Sequence, residues 1–478
     1  MAREPVPGVT AHHHHDHTRL TTSTGTTLTG PPPIDFITTA PHITRNGQPV
    51  TDIDRLLEHI DTDTDAFAGH LRESIDNLAD ALAAATPHPH GTHLWTTAAA
   101  HHPNPGVYFE QLVATGHPIH PMARTRGGLT PRQVHAWAPE HRPLVPLILA
   151  RPRTPTPAHG AWPWLDDDKT PLLPMHPYQA DRYRDAVQPI ATRPAAPLMS
   201  LRTLAPRHQP HLHVKTAVDL QMTSAIRRVS PAAIHNGPLL SRYLTRTHPD
   251  LAIHAETATM AVSDDEHPAH SLSAIVRTLP PATADTVPIP LAALAEPDPA
   301  TTTPLAATII DTTDTPPLTW WHDCVRLILT PPLTLARHGI ALEAHGQNTL
   351  LELHRGNPHR LIYRDFGGVR IDPAITTPAG DLTEPNPRAR HTTLIAALYS
   401  TVFRQLIHAL SHHYREDPAT WWQPVIEHSH RLTRHDRLLH DMVFNDTWPL
   451  KATTAMRLAA DPLDNQWITI PNPIAAAR

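Results

Sequence analysis

The chain has 478 residues, a length that predicts about three domains and a large apolar core. Its formal charge of -6 disfavours nucleic acid and anionic membranes as partners, since both attract basic proteins. The single cysteine, Cys324, cannot form an internal disulfide, and we find neither a signal-peptide pattern nor an apolar run of about 18 residues. These features predict a cytoplasmic protein in a reducing setting, without a membrane partner.

Residues 1–48 are rich in Pro, Thr and His, and the run HHHHDH occupies residues 12–17. This composition predicts a flexible arm. Such a run can chelate a transition metal, although a mobile tail in a His-rich chain is the simpler explanation.

The clearest early helical pattern covers residues 53–85. Apolar side chains recur there at steps of three and four residues, which predicts one packing stripe formed by Leu71, Ile75, Leu78 and Leu82. Because a Pro/His break follows at residues 87–90, residues 49–112 are predicted to form a helical N-terminal domain.

Residues 116–121 read GHPIHP, and Arg124 and Arg126 follow. Proline after each imidazole keeps the preceding residue extended, so His117 and His120 are predicted to lie on a rigid loop beside two guanidiniums. Several fixed donors suit a polyphosphate. The alternative is an ordinary His-Pro turn in a chain with 40 His and 55 Pro.

A Pro-rich connector at residues 151–164 leads to the segments MHPYQ (175–179), SLRT (200–203) and TSAIR (223–227). Alternation over residues 212–222 predicts a strand, and the hydroxyls of residues 223 and 224 are predicted to cap a short helix. The hydroxyls of Ser200 and Thr203, together with Arg202 and Lys215, are predicted to bind phosphate, and Arg227 can bind a carboxylate. Surface salt bridges on a sheet are the alternative.

Lysine is rare among the 39 basic residues, occurring only as Lys169, Lys215 and Lys451. Where arginine is used almost everywhere, a lysine marks a place where a compact ammonium works and a planar guanidinium does not. Chance survival is the alternative, unless the lysines lie within other motifs.

The next elements are predicted from periodicity and from breaks. Residues 236–243 read as a helix, 252–262 and 272–279 as strands, 280–318 as a linker or surface insertion, and 320–329 as a helix that ends at Pro331 and Pro332. The best helix covers residues 392–413, with one apolar face formed by Leu394, Leu398, Val402, Leu406 and Leu410.

The segment 339–370 organises the chain. It predicts strands at 340–343, 349–353 and 361–363, joined by a polar turn and a Gly/Pro loop. Glu343, Asn348 and Asp365 lie at strand ends or turns, and their oxygen atoms suit Mg²⁺ carrying nucleotide phosphates, as in the metal-binding logic of kinases. Ordinary turn residues in a meander are the alternative.

The C-terminal piece contains Lys451 and Arg457. These cations can close a site over an anion, or they can lie in the last turns of a solvated helix.

Seven of these motifs, in this order, resemble the IucA/IucC family of siderophore synthetases that work without a nonribosomal peptide synthetase. They are GHPIHPMARTRGG, MHPYQ, SLRT, the 215–227 segment, EAHGQN, RDFGG, and LKATTAMR with the final NPI. The resemblance implies ATP-dependent adenylation of a carboxylate of citrate or a related dicarboxylic acid derivative. An amine or hydroxyl then captures the acyl group, and AMP and pyrophosphate are released.

The resemblance also implies residue roles. It assigns ATP contacts to Ser200, Arg202, Thr203, Lys215, Arg124 and Asp365, and Mg²⁺ ligands to Glu343, Asn348 and Asp365. It assigns the carboxylate substrate to Thr223, Ser224, Arg227, His345, Lys451 and Arg457. Catalytic roles go to His117 or His120 near the α-phosphate, and to Arg227, His345 and Lys451.

The implied fold is a multidomain α+β protein in which the helical N-terminal domain is followed by a fingers-like domain (113–310) and a palm-like domain (311–478) around a central ATP site. A homodimer and small-molecule acid and amine substrates are implied as well. The chain departs from the family pattern at Arg124, where Lys is usual, and at Thr216, where an apolar residue is usual. It is also shorter than a typical member.

Two other functions stay open. A kinase-like phosphotransferase built on Glu343, Asn348 and Asp365 would release ADP instead of pyrophosphate, but the sequence lacks a convincing glycine-rich loop. A non-enzymatic His-rich metal-binding protein would show no ATP hydrolysis, and its metal binding would survive deletion of residues 1–48.

Overall fold

The structure is a computed structural model that describes residues 3–32, 36, 42–50, 57, 65–223, 225–262, 269–281, 285–376, 378–459 and 465–477. Its helices are α1 (Asp65–Ala84), α2 (Thr92–His101), α3 (Gly106–Leu112), α4 (Pro131–Trp137), α5 (Pro177–Arg182), α6 (Pro231–Thr247), α7 (Leu291–Leu294), α8 (Leu305–Ile310), α9 (Pro317–Arg337), α10 (Pro387–Ala397), α11 (Arg404–Tyr414), α12 (Pro418–Thr433), α13 (Arg437–Val443) and α14 (Thr453–Leu458). A π-helical segment, Leu398–Phe403, joins α10 to α11. Short 3₁₀ turns cover Pro139–His141, Phe366–Gly368, Gly380–Leu382 and Ala475–Ala477.

The strands are β1 (Val9–His13), β2 (Thr18–Thr22), β3 (Thr27–Gly30), β4 (Thr44–Arg45), β5 (Gln48–Pro49), β6 (Val145–Pro152), β7 (Ala158–Gly160), β8 (Leu173–Met175), β9 (Val187–Pro197), β10 (Thr203–Pro206), β11 (Leu212–Thr216), β12 (Gln221–Met222), β13 (Ala225–Ile226), β14 (Ala252–Ile253), β15 (Ala255–Ala261), β16 (Ser273–Thr278), β17 (Thr286–Pro290), β18 (Ile340–Ala341), β19 (Thr349–His354), β20 (Asn357–Tyr363), β21 (Arg370–Ile371), β22 (Thr447–Lys451) and β23 (Trp467–Pro471).

Two sheets position the site. The larger sheet has eight strands in the order β7-β15-β16-β11-β10-β9-β6-β8, and the smaller has four in the order β14-β20-β19-β17. The larger sheet is antiparallel, whereas β14 pairs with β20 in parallel. The protein has a mixed α/β multidomain fold, which confirms the predicted fold class but not the predicted arrangement of the domains. The predicted domain boundaries stay predictions.

The main core packs α9 to α12 against the smaller sheet, and its largest fully buried side chains include Trp320, Trp321 and Trp421. The best predicted helix is confirmed as α10, the π segment and α11 in sequence, because Leu394, Leu398, Val402, Leu406 and Leu410 are all buried. This 28-residue stretch is long and apolar enough to cross a membrane, but 72% of its most apolar window is buried inside the fold. We therefore interpret it as a core helix.

Helix α1 packs through a face that overlaps the predicted one only in part. Leu71 packs against the cluster that contains Phe67, whereas Ile75 and Leu82 of the predicted stripe are each 46% exposed. Buried Ser74 bonds the loop at Arg124, a contact that apolar periodicity cannot reveal. Residues 53–56 and 58–64 of the predicted helix lie outside the described residues.

Two other predictions need correction. The 280–318 segment is not a linker, because β17 pairs with β19 and every residue of α8 is buried. Strand β17 is the edge of its sheet, where proline's missing donor is tolerated. Helix α9 does not end before Pro331 but continues to Arg337, since Leu333, Leu335 and Ala336 beyond the prolines are buried.

The N-terminal segment is more ordered than predicted. Strands β1 to β5 form an antiparallel sheet, and the Glu4 carboxylate accepts from the backbone N–H of Thr454 at 2.6 Å and of Ala455 at 2.8 Å. The described part of residues 1–48 is therefore folded against the C-terminal region. This corrects the prediction of a flexible arm for those residues.

Candidate active site

Three neighbouring strands of the larger sheet bring charged side chains together in its middle. Lys215 on β11 faces Ile275 on β16, and Arg277 lies two residues further along β16, on the same face as Lys215. Arg277 in turn faces Glu256 on β15, whose Oε1 accepts from its Nη2 at 3.1 Å. Gly237 on α6 allows this contact, because an added Cβ would lie 2.1 Å from the Glu256 carboxylate.

Asp365 reaches this cluster from the end of β20. Its carboxylate accepts from Lys215 Nζ at 2.8 and 2.9 Å and from Arg277 Nη2 at 2.9 Å. Its backbone φ of 72° is unusual for a residue other than glycine and aims the side chain back towards the larger sheet. Burial favours a higher pKa for Asp365, but Lys215 and Arg277 lower the pKa well below its usual range.

Arg202 joins the same cluster from the turn before β10. Its carbonyl accepts from the Thr216 backbone N–H at 3.0 Å and from the Thr216 hydroxyl at 2.9 Å, and its Nη1 donates to the Arg228 carbonyl at 2.6 Å. Burial, together with the charges of Arg227 and Arg277, lowers the pKa of Arg202 to about 9, although Asp365 acts against this shift. Thr203 pairs directly with Lys215 across β10 and β11.

The hairpin β12–β13 carries Arg227 toward the same cleft. Arg227 hydrogen-bonds the Thr223 hydroxyl, and its pKa is lowered by burial while Asp365 and Glu343 act to raise it. Thr223 has a positive φ of 53° and forms the hairpin turn, so the predicted short helix at this place is wrong. Ser224, predicted as a substrate contact, lies outside the described residues.

Glu343 and Lys451 form a second ion pair beside the cluster, with Nζ 2.8 Å from Oε1. Burial favours a higher pKa for Glu343, but Lys451 and His345 lower it. Gly368, three residues after Asp365, accommodates this carboxylate, because an added Cβ would lie 1.9 Å from Glu343 Oε2. The RDFGG motif therefore supplies both a charged group and the space for its neighbour.

Three histidines border these ion pairs in one common geometry. His117, His120 and His345 each accept a backbone N–H from two residues onward at Nδ1, at 3.4, 2.9 and 3.2 Å. Nδ1 is therefore unprotonated, and Nε2 is left to face other groups. The rings of His117 and His120 contact each other edge to face, with centroids 5.9 Å apart.

All three histidines are neutral at pH 7. Loss of hydration and the nearby positive charges lower the pKa of His117 well below its ordinary value, and burial lowers that of His120 to about 4. Burial also lowers the pKa of His345. His117 is exposed, whereas His120 is buried.

Two predicted contacts are engaged elsewhere. Arg124 is buried, and its guanidinium binds Glu140 and the carbonyls of Ala114 and Val113. Arg457 Nη2 lies 2.6 Å from His70 Nδ1. We therefore assign Arg124 to holding its loop in place, and we leave both arginines out of the nucleotide and substrate contacts proposed below.

Sequence reasoning missed the roles of four charged residues at the site, which form two buried ion pairs, Arg277 with Glu256 and Arg364 with Glu110. Arg364 Nη1 and Nη2 lie 2.5 and 3.0 Å from the two oxygens of Glu110, and Arg364 also donates to the Gln347 carbonyl. This fork fixes the loop that bears His345. The available signal was a charged residue inside an otherwise apolar, buried strand or helix.

The donor set at Glu343, Asn348 and Asp365 fits a magnesium ion. Both carboxylates are ionised because their pKa values are lowered, and the Asn348 side chain is buried beside the loop of His345. Their present partners, Lys451, Lys215 and Arg277, are cations that phosphate oxygens also attract. Carboxylates can therefore turn from the cations to a metal that enters with a polyphosphate.

Comparison with known proteins identifies relatives of the whole chain. The sequence profile described as "IucA / IucC family" matches residues 106–155 and 158–296, and the one described as "Ferric iron reductase FhuF-like transporter" matches residues 318–462. Staphyloferrin A synthase of Staphylococcus aureus (strain NCTC 8325 / PS 47) is 26% identical over 430 residues, which span 77% of this chain and 72% of the relative.

Solved structures share the fold. The petrobactin biosynthesis protein AsbB from Bacillus anthracis str. Sterne matches with a TM-score of 0.80 and 18% identity over 98% of this chain and 92% of its own. The ATP-bound aerobactin synthetase IucA from a hypervirulent pathotype of Klebsiella pneumoniae matches with a TM-score of 0.75 and 17% identity, covering 98% and 96%.

The fold, the site and the relatives together define an enzyme of the ligase type. More narrowly, the IucA/IucC profile over residues 106–155 and 158–296 and the synthase relative confirm the predicted resemblance to siderophore synthetases that work without a nonribosomal peptide synthetase.

Proposed function

We propose that the enzyme adenylates a carboxylate of citrate, or of a related dicarboxylic acid derivative, with ATP. It then condenses the acyl group with an amine or hydroxyl nucleophile and releases AMP and pyrophosphate. The observation that carries this proposal is the contact of Lys215 and Arg277 with Asp365, beside Arg202, in one cleft. Such a concentration of cations around ionised acids suits a metal-bound polyphosphate and a carboxylate substrate.

The phosphate chain would lie beside the larger sheet. Lys215 and Arg202 would provide the charge, and Ser200 and Thr203 would add hydroxyls from the turn that the Thr203 N–H closes on the Ser200 carbonyl. The related structure described as ATP-bound supports ATP as the nucleotide. Glu343, Asn348 and Asp365 would hold Mg²⁺, which neutralises charge on the phosphates when it is bound.

The acid substrate fits the opposite part, where Arg227 with Thr223, His345 and Lys451 can bind carboxylates. In the first step a carboxylate oxygen attacks the α-phosphorus, and the bond to the β-phosphate oxygen breaks as pyrophosphate leaves. The step needs positive charge and donors at the phosphates, because a carboxylate becomes an electrophile only when its oxygen is a good leaving group.

The neutral histidines act as hydrogen-bond donors in this proposal. Since Nδ1 of His117, His120 and His345 accepts a backbone N–H, the neutral ring carries its proton on Nε2. An Nε2–H near the α-phosphate stabilises the negative charge that develops there. In the second step the nucleophile bonds the acyl carbon and loses its proton, and AMP departs.

The test compares two lysines in the full-length enzyme. Lys215→Met removes the ammonium at Asp365, whereas Lys169→Met removes an exposed lysine as a matched control. Each variant is given ATP, Mg²⁺ and one acid substrate, which is citrate, 2-oxoglutarate or a succinyl hydroxamate. Hydroxylamine is added to capture the activated acyl group, and the release of pyrophosphate is measured. We expect Lys215→Met to lose release by at least about a hundredfold and Lys169→Met to retain it.

Full pyrophosphate release by a folded Lys215→Met variant would contradict the site assignment. ADP in place of pyrophosphate would favour the kinase-like phosphotransferase instead. A homodimer, a cytoplasmic location and the domain boundaries at residues 48, 112 and 310 remain part of the proposal. Sedimentation of the purified chain tests the first of these.

A further inference from the structure

A group of metal-ligand side chains lies away from the active site, where three elements meet. Asp80 is near the end of α1, His135 is on α4, and His141 ends the 3₁₀ turn Pro139–His141. Asp80 Oδ2 lies 2.7 Å from His135 Nε2 and 3.4 Å from His141 Nε2. A metal site needs several His, Cys, Asp or Glu side chains close together. Among the described residues, these three meet that condition, because their ligand atoms all lie within 4.8 Å of one another.

The two imidazoles lie face to face, so one ring has to turn before both Nε2 lone pairs can point at a single ion. Their rings are stacked with centroids 4.1 Å apart and planes 12° apart, and both Nε2 atoms lie near the same carboxylate. The capping box of Thr130 and Gln133 fixes the first turn of α4, which carries His135.

His141 supplies an independent sign of a missing ligand. Its side chain is 5% exposed, and its Nε2 is buried without a hydrogen bond. A buried nitrogen of this kind is costly unless another group satisfies it. Burial lowers the pKa of His141, so its ring is neutral at pH 7 and a lone pair is available for a metal.

We propose that Asp80, His135 and His141 bind a divalent zinc-type metal ion. Two imidazoles and one carboxylate are ligands that Zn²⁺ takes at about 2.0–2.2 Å, which places tetrahedral ligand atoms roughly 3.3 Å apart. The Asp80 to His141 separation of 3.4 Å already fits, and the shorter Asp80 to His135 contact needs to open slightly. The side chains of Asp80 and His135 are 43% and 54% exposed, which leaves the fourth position to water.

The ion would join the two supports of the GHPIHP loop. On one side, α1 holds that loop, because Asn77 Nδ2 donates to the Arg124 carbonyl at 3.0 Å and Ser74 Oγ accepts from the Arg124 N–H at 3.0 Å. On the other side, Glu140, the neighbour of His141, binds the guanidinium of Arg124. A metal between Asp80 and His141 therefore clamps α1 to the segment that positions His117 and His120.

The test uses the full-length chain with His12, His13, His14, His15 and His17 replaced by Asn, so that the N-terminal run does not bind the probe. Zn²⁺ affinity is measured by competition with a chromogenic chelator, and Co²⁺ reports geometry through its visible absorption. Asp80→Asn and His135→Gln test the site, and both leave buried residues untouched. Asp76→Asn and His93→Gln, at exposed positions on α1 and α2, are the matched controls.

We expect one Zn²⁺ per chain, a loss of affinity of more than about tenfold in Asp80→Asn and in His135→Gln, and no change in either control. The intense Co²⁺ absorption of a four-coordinate site should disappear in the same two variants. Equal affinity in the parent and in both site variants, with circular dichroism showing them folded, would overturn the proposal. So would an equal loss in the controls.

Discussion

Two carboxylates in this protein each hold two cations, and they differ in their access to water. Glu140 binds Arg124 at 3.2 Å and also Arg126, and its side chain is 0% exposed. Asp365 binds Lys215 at 2.8 Å and Arg277 at 2.9 Å, but its side chain is 26% exposed. The same charges thus form a closed cluster in one place and an open one in the other.

The difference separates structural from functional use of one kind of interaction. In the closed cluster, Arg124 also binds two backbone carbonyls, so the ions serve one another and the loop. In the open cluster the exposed side of Asp365 and the surrounding cations can exchange partners with a ligand. Loss of the open carboxylate should therefore remove activity, and loss of the closed one should remove stability.

The largest expected effect is that of Asp365→Ala. Under the proposed function, the variant loses a metal ligand and the group that orients Lys215 and Arg277, so pyrophosphate release should decrease at least about a thousandfold. The variant should fold with reduced stability, because Lys215 loses its counter-charge while Arg277 keeps its contact with Glu256. Asp285→Asn, which removes an exposed partner of Arg355, is the control and should release pyrophosphate normally. Normal release by Asp365→Ala would refute the assignment.

Glu140→Gln should have the next largest effect, this time on stability. The substitution leaves Arg124 and Arg126 buried without a counter-charge, which should lower the free energy of unfolding by about 3 kcal/mol. Urea denaturation measures this change, and exposed Glu427→Gln should change it by less than about 0.5 kcal/mol. A Glu140→Gln variant as stable as the parent would show that the closed cluster does not anchor the loop.

Acid should weaken the closed cluster in a defined window. Burial favours a higher pKa for Glu140, but Arg124 and Arg126 lower the pKa from 4.5 to about 2. Because the folded-state value is depressed, its contribution of about 3 kcal/mol is present above pH 4.5 and is lost as the pH decreases toward 2. Unfolding measured across this range should show a smaller decrease in Glu140→Gln than in the parent. Parallel curves would contradict the assignment.

The smallest effect is expected for Thr216→Val, which removes the hydroxyl that donates to the Arg202 carbonyl at 2.9 Å. Loss of one such bond costs about 1 kcal/mol, so kcat/KM for pyrophosphate release should decrease by no more than about tenfold. Thr245→Val removes a similar bond, to the Ser241 carbonyl within α6, and should leave kcat/KM unchanged. An equal effect in both variants would remove Thr216 from the support of Arg202.

Much of the open cluster was predictable, because its members lie in motifs with unusual residue types. Lys215 and Lys451 stood out in a chain that otherwise uses arginine, and Asp365 in RDFGG followed a strand. Arg277 and Glu256 were missed, because a single charge within an apolar strand does not reveal which neighbour it faces. That neighbour is set by the pairing of β15, β16 and β11 across distant parts of the chain.

The prediction for α1 was right for Leu71 but wrong for Ile75 and Leu82, for a related reason. Its leucine spacing is a good helical pattern, yet the face that packs includes Ser74, which bonds the loop at residue 124. Hydrophobic periodicity predicts a helix face that makes apolar contacts. It does not predict a face whose polar side chains bind backbone groups of another segment. The prolines of α9 and β17 also led to wrong predictions. Helix α9 continues through its prolines because the residues beyond them are buried, and β17 tolerates prolines because it lies at the edge of its sheet.

The sequence by itself indicated the resemblance to the IucA/IucC family, the order of the motifs, the residue types of the charged cluster and the long core helix, because each depends on local spacing and composition. Only the tertiary structure decided which carboxylate meets which cation, which face of α1 is buried, and that Asp80, His135 and His141 meet at one point. These outcomes depend on strand register and helix docking, which join residues far apart in the chain and leave no periodic signal in either partner.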